Sequence, residues 1–289
     1  MFYIVRTWVY DHIVSVALLW YGRNYISAVD TKGEIHYFKS QHSKLSAICI
    51  QESWLTDETD LSLFQLPNYN LVHRGKSCCG HGGLITYVRD DFSVTERELC
   101  PPSTLWEGLF IDIHNERMDK KLTLCNIYRP PQRNECNDVI DSFINELQPV
   151  LSKLQNESSH CVFAGDYNID LLKINERLKI QEYFDIFTTH GFTPNIVLPT
   201  RFSHRNASLI DQLFCKMSSA DTRNSNVSGI LISNLSDHLP YFSSLDICSP
   251  RKQTPKYIKC NNNSPESIRQ FYANVGSEMS TRSFNSDTK

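Results

Sequence analysis

Short apolar runs alternate with polar breaks along most of the chain. Eight of them are rich in β-branched and aromatic residues: Leu45–Ile50, Leu84–Val88, Gly108–Ile113, Leu122–Ile127, Cys161–Ala164, Leu209–Cys215, Gly229–Ile232 and Tyr241–Ile247. Runs of this length and make-up predict strands. Two segments repeat at helical spacing instead. In 136–154, Val139, Ile140, Phe143, Ile144, Leu147, Val150, Leu151 and Leu154 form an apolar stripe. Pro149 falls inside it and predicts a kink or a break. In 175–190, Leu178, Ile180, Tyr183, Phe184 and Phe187 lie on or near one side, and Gly191 is placed to end the helix. Near the start, Ile13–Trp20 reads as a buried first strand rather than a secretory leader. The following Tyr21-Gly22-Arg23-Asn24 offers no small-residue cleavage site.

Eight strands in one body need at least one large sheet. With helices falling between strands, the expected fold is α/β, a sandwich of two mixed β-sheets flanked by helices. One domain is expected over 1–249, with an atypical stretch at 1–43. Ser249-Pro-Arg-Lys-Gln-Thr-Pro255 reads as its exit. Residues 250–289 read as a polar, basic tail at the start of a linker, with one short helix around Pro265–Val275. No apolar run approaches the roughly 20 residues of a membrane span, so no membrane partner is expected.

Charge sharpens the picture. The net charge is −3, but 41–250 hold 18 Lys and Arg against 26 Asp and Glu, while 251–289 hold 7 against 3. Proteins that bind nucleic acid by neutralising phosphates are normally basic. An acidic body that handles phosphates needs a bound cation. Ten Cys are scattered without a CxxC pair, which argues against a zinc ribbon. Cys49, Cys125, Cys161 and Cys215 sit inside strand-like runs and read as buried free thiols of a reducing, intracellular compartment.

The informative polar residues stand at the ends of apolar runs. Glu52 follows Ala47–Gln51, Tyr128 and Arg129 follow Leu122–Ile127, and Asp166 and Asn168 follow Cys161–Gly165. Asp237 and His238 come after Gly229–Leu235, and Asp211 lies inside Leu209–Cys215. Each has a bland reading alone: a solvated Glu, an Asx turn at Gly165-Asp166-Tyr167-Asn168, a surface His. Asp211, flanked by Leu209, Ile210, Leu213 and Phe214, is harder to dismiss, because a buried carboxylate needs a partner. His238 is a partner of the right type, since a carboxylate can fix an imidazole tautomer. Strands sharing a sheet can bring such ends to one rim, where carboxylates and an imidazole make a hard-cation site with an acid/base partner.

The ordered motifs are Ile50-Gln-Glu52-Ser-Trp54, Gly82-Gly-Leu-Ile, Asn126-Ile-Tyr128-Arg129-Pro130, Gly165-Asp166-Tyr-Asn168, Thr200-Arg201, Ser208-Leu-Ile-Asp211 and Ser236-Asp237-His238. Over residues 44–247 this series resembles the endonuclease/exonuclease/phosphatase superfamily. Tyr-Arg-Pro-Pro, Pro-Thr-Arg and Ser-Leu-Ile-Asp together look most like the endonuclease domain of non-LTR retrotransposon polyproteins. The resemblance implies a hydrolase that nicks DNA with Mg²⁺ or Mn²⁺. It implies Glu52 as main metal ligand, with Asp237 helping. Asp166 would orient and deprotonate the attacking water, and Asn168 would hold the scissile phosphate. His238, supported by Asp211, would stabilise developing charge, and Tyr128 would contact phosphate or leaving oxygen. Arg129, Thr200, Arg201 and Ser208 are expected to contact phosphate or backbone. The resemblance further implies a reverse transcriptase module in a longer parent and work in the nucleus. One departure is visible: Tyr21 stands where the family has a metal-supporting Asn, with Asn24 nearby. Two alternatives stay open. One is a non-catalytic remnant that binds nucleic acid or a partner. The other is a phosphatase or lipid phosphodiesterase sharing the same reaction core.

Overall fold

The structure is a computed structural model. It describes residues 13–20 (as backbone), 45–56, 58–75, 82–132, 137–203, 206–218, 226–232 and 236–247. The chain divides into two compact units, Met1–Arg251 and Lys252–Lys289, and the second lies outside the described residues, with the expected tail and its short helix.

The first unit begins with β1 (Ile13–Trp20), β2 (Ala47–Gln51), β3 (Tyr69–Arg74) and β4 (Leu84–Arg89). It continues through β5 (Ser93–Arg97), β6 (Glu107–His114), β7 (Leu122–Tyr128), α1 (Asn137–Gln155), β8 (His160–Asp166), α2 (Leu178–Thr189) and β9 (Thr193–Pro194). A short ribbon, β10 (Arg201–Phe202) and β11 (Ala207–Ser208), precedes β12 (Asp211–Lys216), β13 (Val227–Ile230) and β14 (Tyr241–Asp246). Among the described residues two six-stranded mixed sheets result, in the orders β13-β14-β1-β2-β4-β3 and β5-β6-β7-β8-β12-β9. This is the expected two-sheet sandwich.

Period-two alternation decides what each face buries. On β12, Gln212, Phe214 and Lys216 face the helices, so Asp211, Leu213 and Cys215 face the first sheet. Phe214 stacks on Phe187 of α2 at 4.0 Å between centroids. Lys216 donates to the carbonyls of Leu154, Gln155 and Glu157, closing the C-terminal end of α1 with a cation where the helix dipole favours one. The two described α-helices pack on this outer face. The outer face of the first sheet is covered instead by Leu55, Phe64 and Leu66 over Ile48, Ile50, Ile85 and Tyr87.

Of the kink or break expected at Pro149, the break does not occur; α1 runs through it. Ile140, Phe143, Ile144, Leu147, Val150, Leu151 and Leu154 are all buried, whereas Pro149 and Asn145 are exposed. The lost N–H bond therefore falls on the solvent side, where water can serve the freed Asn145 carbonyl, while packing holds the other side. Helix α2 ends at Gly191 as expected, with Gly191 N–H on Thr188 O (3.0 Å) and Phe192 N–H on Phe187 O (2.9 Å). Leu178, expected on its apolar side, is exposed. Cys49, Cys125, Cys161 and Cys215 are buried and free. No helix among the described residues is long and apolar enough to cross a membrane.

A buried amide bridge ties the sheets together under one rim. Asn126 on β7 donates to the carbonyls of Ile50 (3.3 Å) and Ile85 (3.0 Å) and accepts from Gln51 Nε2 (2.6 Å). It fixes the end of β2 against the end of β7, and those two ends carry the candidate chemistry.

Candidate active site

Backbone register assembles the site before any side chain is considered. Parallel pairing of β7 with β8 sets Tyr128 opposite Asp166, and antiparallel pairing of β8 with β12 sets Asp211 opposite Asp166. Gly165 permits this approach. A Cβ there would collide with the Ile127 carbonyl of the neighbouring strand. The Tyr241 hydroxyl locks the same point, accepting from Gly165 N–H (3.1 Å) and donating to Gln212 O (2.9 Å).

His238 reaches the rim through the ribbon. Leu239 N–H donates to Thr200 O (2.6 Å), Phe202 N–H to Asp237 O (3.0 Å), and Arg201 and His238 form a single antiparallel bridge. Thr200 also accepts Asp211 N–H on its hydroxyl (3.2 Å) and donates its own N–H to Ser208 O (2.9 Å). Thr200 and Ser208 thus frame Asp211 and His238 through these contacts. The frame sets His238 Nδ1 at 2.9 Å from both oxygens of Asp211. A carboxylate accepting from Nδ1–H fixes the tautomer and orientation of the ring.

Asp166, Asp211 and His238 are 1%, 2% and 2% exposed. They are the group among the described residues whose ligand atoms all lie within 4.8 Å of one another. Part of that closeness is the Asp211–His238 hydrogen bond itself. The feature that calls for a cation is the pair of carboxylates. Burial pushes the Asp166 carboxyl well above the usual range, and Asp211 and then Glu52 push it the same way. The Asn168 N–H and Arg201 pull it down by less. A divalent ion would reverse this cost, and oxygen donors are what Mg²⁺ and Mn²⁺ prefer. The donor set fits such an ion.

Glu52 stands one residue past β2, buried, with φ 52°. Tyr128 donates its hydroxyl to Glu52 Oε1. Burial, then Glu52, raises the phenol far above its ordinary value, so Tyr128 keeps its proton at neutral pH. Asn168 also holds a left-handed backbone, φ 49°. Its side chain spans Arg129 O (2.8 Å) and Asp166 Oδ2 (3.1 Å), while its N–H donates to Asp166 Oδ1 (3.0 Å). Non-glycine residues at positive φ cost energy and persist where surrounding contacts hold them, as they often do at functional sites.

Other residues expected at the site are placed differently. Asp237 is not in the three-residue group. Its side chain is 45% exposed and pairs with Arg201, 40% exposed, at 2.9 Å. Arg129 lies beneath the rim, wholly buried, with its guanidinium on Tyr167 O (3.2 Å) and over the Phe143 ring. Tyr21 and Asn24 lie outside the described residues. Sequence reading passed over Glu107, which opens β6 opposite Tyr128 and is buried at the rim. Its only signal was an acidic residue opening the apolar run at Gly108.

Two stacked mixed sheets with carboxylates and a histidine gathered at one rim define a class of phosphoester-cleaving hydrolases. Residues 23–238 match the Endonuclease/Exonuclease/phosphatase family, and the chain belongs to it. Solved structures agree on the fold. The endonuclease domain of TRAS1, a telomere-specific non-LTR retrotransposon, superposes with TM-score 0.58 at 16% identity, over 81% of this chain and 99% of that one. An AP endonuclease from Archaeoglobus fulgidus gives TM-score 0.58 at 15% identity, over 81% and 100%. A 3′-5′ exonuclease (NExo) from Neisseria meningitidis gives 0.59 at 14%, over 81% and 100%. No curated protein sequence matches the chain.

Proposed function

We propose that this protein is a Mg²⁺- or Mn²⁺-dependent phosphodiesterase that nicks DNA, of the retrotransposon-endonuclease type. The observation that carries the reading is the buried Asp166–Asp211–His238 group beside the Glu52–Tyr128 pair. Residues 1–249 would form the catalytic domain and 250–289 the start of a linker. In a longer parent chain the domain would work beside a reverse transcriptase, in the nucleus.

Glu52 would be the main metal ligand, its orientation fixed by the Tyr128 hydroxyl. Asp237 would join it on leaving Arg201. When bound, the ion supplies Lewis-acid stabilisation of charge on the phosphate oxygens. Asp166, its two oxygens held by Asn168, would orient and deprotonate the attacking water. Asn168 would turn one amide N–H from its present partners to the scissile phosphate, its backbone N–H still holding Asp166. His238, oriented by Asp211, would donate where charge develops on the phosphate. Tyr128 keeps its proton and would contact the phosphate or leaving oxygen. Arg129, Thr200 and Ser208 would act as positioning residues, and Arg201 as the cation nearest an incoming strand.

Incubation with supercoiled plasmid and Mg²⁺ or Mn²⁺ tests this. Nicked circles are expected from the wild type and are lost in Asp166→Asn. A duplex with an abasic site and a recessed 3′ end serve as parallel substrates. Absence of cleavage on all three, at any concentration of either metal, overturns the reading.

A further inference from the structure

We infer that Glu107 is a positioning residue for Glu52, acting through the turn at Gly82–Gly83. The inference rests on the reading of Glu52 as a metal ligand and adds a residue to it.

The Glu107 carboxylate is buried and accepts Gly83 N–H at 2.7 Å. It lies so close to Gly82 that any Cβ there would collide with both of its oxygens. Gly82 and Gly83 have φ of 109° and 87°, conformations open to glycine at low cost. The carbonyls of these same two residues accept the N–H groups of Trp54 and Ser53, each at 2.9 Å. Those amides belong to the segment in which Glu52 and Trp54 both hold left-handed backbones, φ 52° and 59°. Two hydrogen bonds therefore hold a strained stretch, and the turn that supplies them is pinned by Glu107.

The circuit closes on the same side chain. Glu107 pairs in register with Tyr128 across β6 and β7, and Tyr128 donates to Glu52. Tyr128 fixes the Glu52 side chain while Glu107, through the turn, fixes its backbone. Both constraints originate in neighbouring residues of the second sheet, although Glu52 follows a strand of the first. A ligand's outer supports set its orientation and therefore its affinity for metal. Glu107 serves as an acceptor here; the requirement is an oxygen facing Gly83 N–H.

The test compares Glu107→Ala and Glu107→Leu, which remove the acceptor with and without volume, against Glu107→Gln, which keeps an oxygen. Mn²⁺ binding is read from the electron paramagnetic resonance of the free ion. Amide hydrogen exchange at Ser53 and Trp54 is read without metal. The acceptor-less variants should bind Mn²⁺ about 10–100-fold more weakly and exchange faster at Ser53 and Trp54, while Glu107→Gln stays near wild type in both. Cooperative melting of the variants separates a loosened turn from an unfolded chain. Unchanged exchange at Ser53 and Trp54 in folded Glu107→Ala or Glu107→Leu overturns the inference. So does a Glu107→Gln as weak as Glu107→Ala, which would assign the role to charge. If the wild type binds no Mn²⁺, the metal reading falls, and exchange at the two amides still decides whether Glu107 holds the turn.

Discussion

The second sheet holds carboxylates at both ends, in opposite ways. Near the start of β7 and β8, Arg97 makes a two-pronged pair with Glu157 (2.7 and 2.9 Å) and reaches Asp112 (3.3 Å). Lys121 meets the other oxygen of Asp112 at 2.6 Å. The Arg97 guanidinium holds Glu157 below the ordinary carboxylate range. At the far end of the same strands, Asp166 faces Asp211 and is driven above that range, by burial first and then by that neighbour. One end neutralises its acids with cations from its own chain and gains stability. The other places acids together at a cost, which a fold retains where an ion or a substrate is to complete the balance.

The sharpest way to break this contrast is Asp166→Asn. It should lower nicking by about 10²–10⁴-fold, the usual contribution of a positioned base. It should also raise the melting temperature in EDTA, because a carboxyl that is costly to ionise where it is buried beside Asp211 is gone. Calorimetry beside a plasmid assay checks both. A fall in melting temperature would mean the acids at the rim stabilise the fold. His238→Ala should cost about 10²–10³-fold, the range for loss of one donor to developing charge. Single-turnover rates at saturating metal would show it as a loss in the chemical step.

Adding Mn²⁺ at about 100 times its Kd should stabilise the wild type by about 2.7 kcal/mol, with a smaller gain in Glu52→Gln. Chemical denaturation with and without EDTA measures the difference. The opposite end should respond least. Arg97→Ala should lower stability at neutral pH, since it strips a two-pronged, largely buried pair from Glu157 and a contact from Asp112, and leave nicking unchanged. Because Glu157 titrates below its unfolded value, the stability it contributes is present above the ordinary carboxylate pKa. It is lost as pH falls through the lowered value. The gap between wild type and Arg97→Ala should therefore be full at neutral pH and close in acid.

Much of this was legible in residue order. Strands β2, β4, β7, β8 and β12 are buried on both faces for most of their length, so they read as continuous apolar runs. Strands β3 and β5 did not, and the reason is position. Both are edge strands, half solvated, and Tyr-Asn-Leu-Val-His-Arg or Ser-Val-Thr-Glu-Arg carries too few apolar residues to stand out. At the rim, Asp166, Asp211, Glu52 and His238 were legible only as an ordered series, since each alone reads as a solvated strand end or a turn. Direction was not. Asp237 and His238 are neighbours, yet one faces solvent and Arg201 while the other is buried on Asp211. Arg129 follows its strand like the others but turns inward onto Phe143. Glu107 escaped because only antiparallel register brings the opening of β6 to the close of β7.

The pairing of β14 with β1 carries a consequence for synthesis. Among the described strands β1 is made before the others, yet it is an interior strand, bonded on one side to β2 and on the other to β14. Until residue 246 has emerged, that sheet is split, with β1 offering an open edge. His238 lies just upstream of β14, so the imidazole can settle only as the gap closes. Nascent chains would carry Glu52, Asp166 and Asp211 before the histidine partner of Asp211 could be seated, and a ribosome stalled short of Tyr241 would hold an aggregation-prone intermediate.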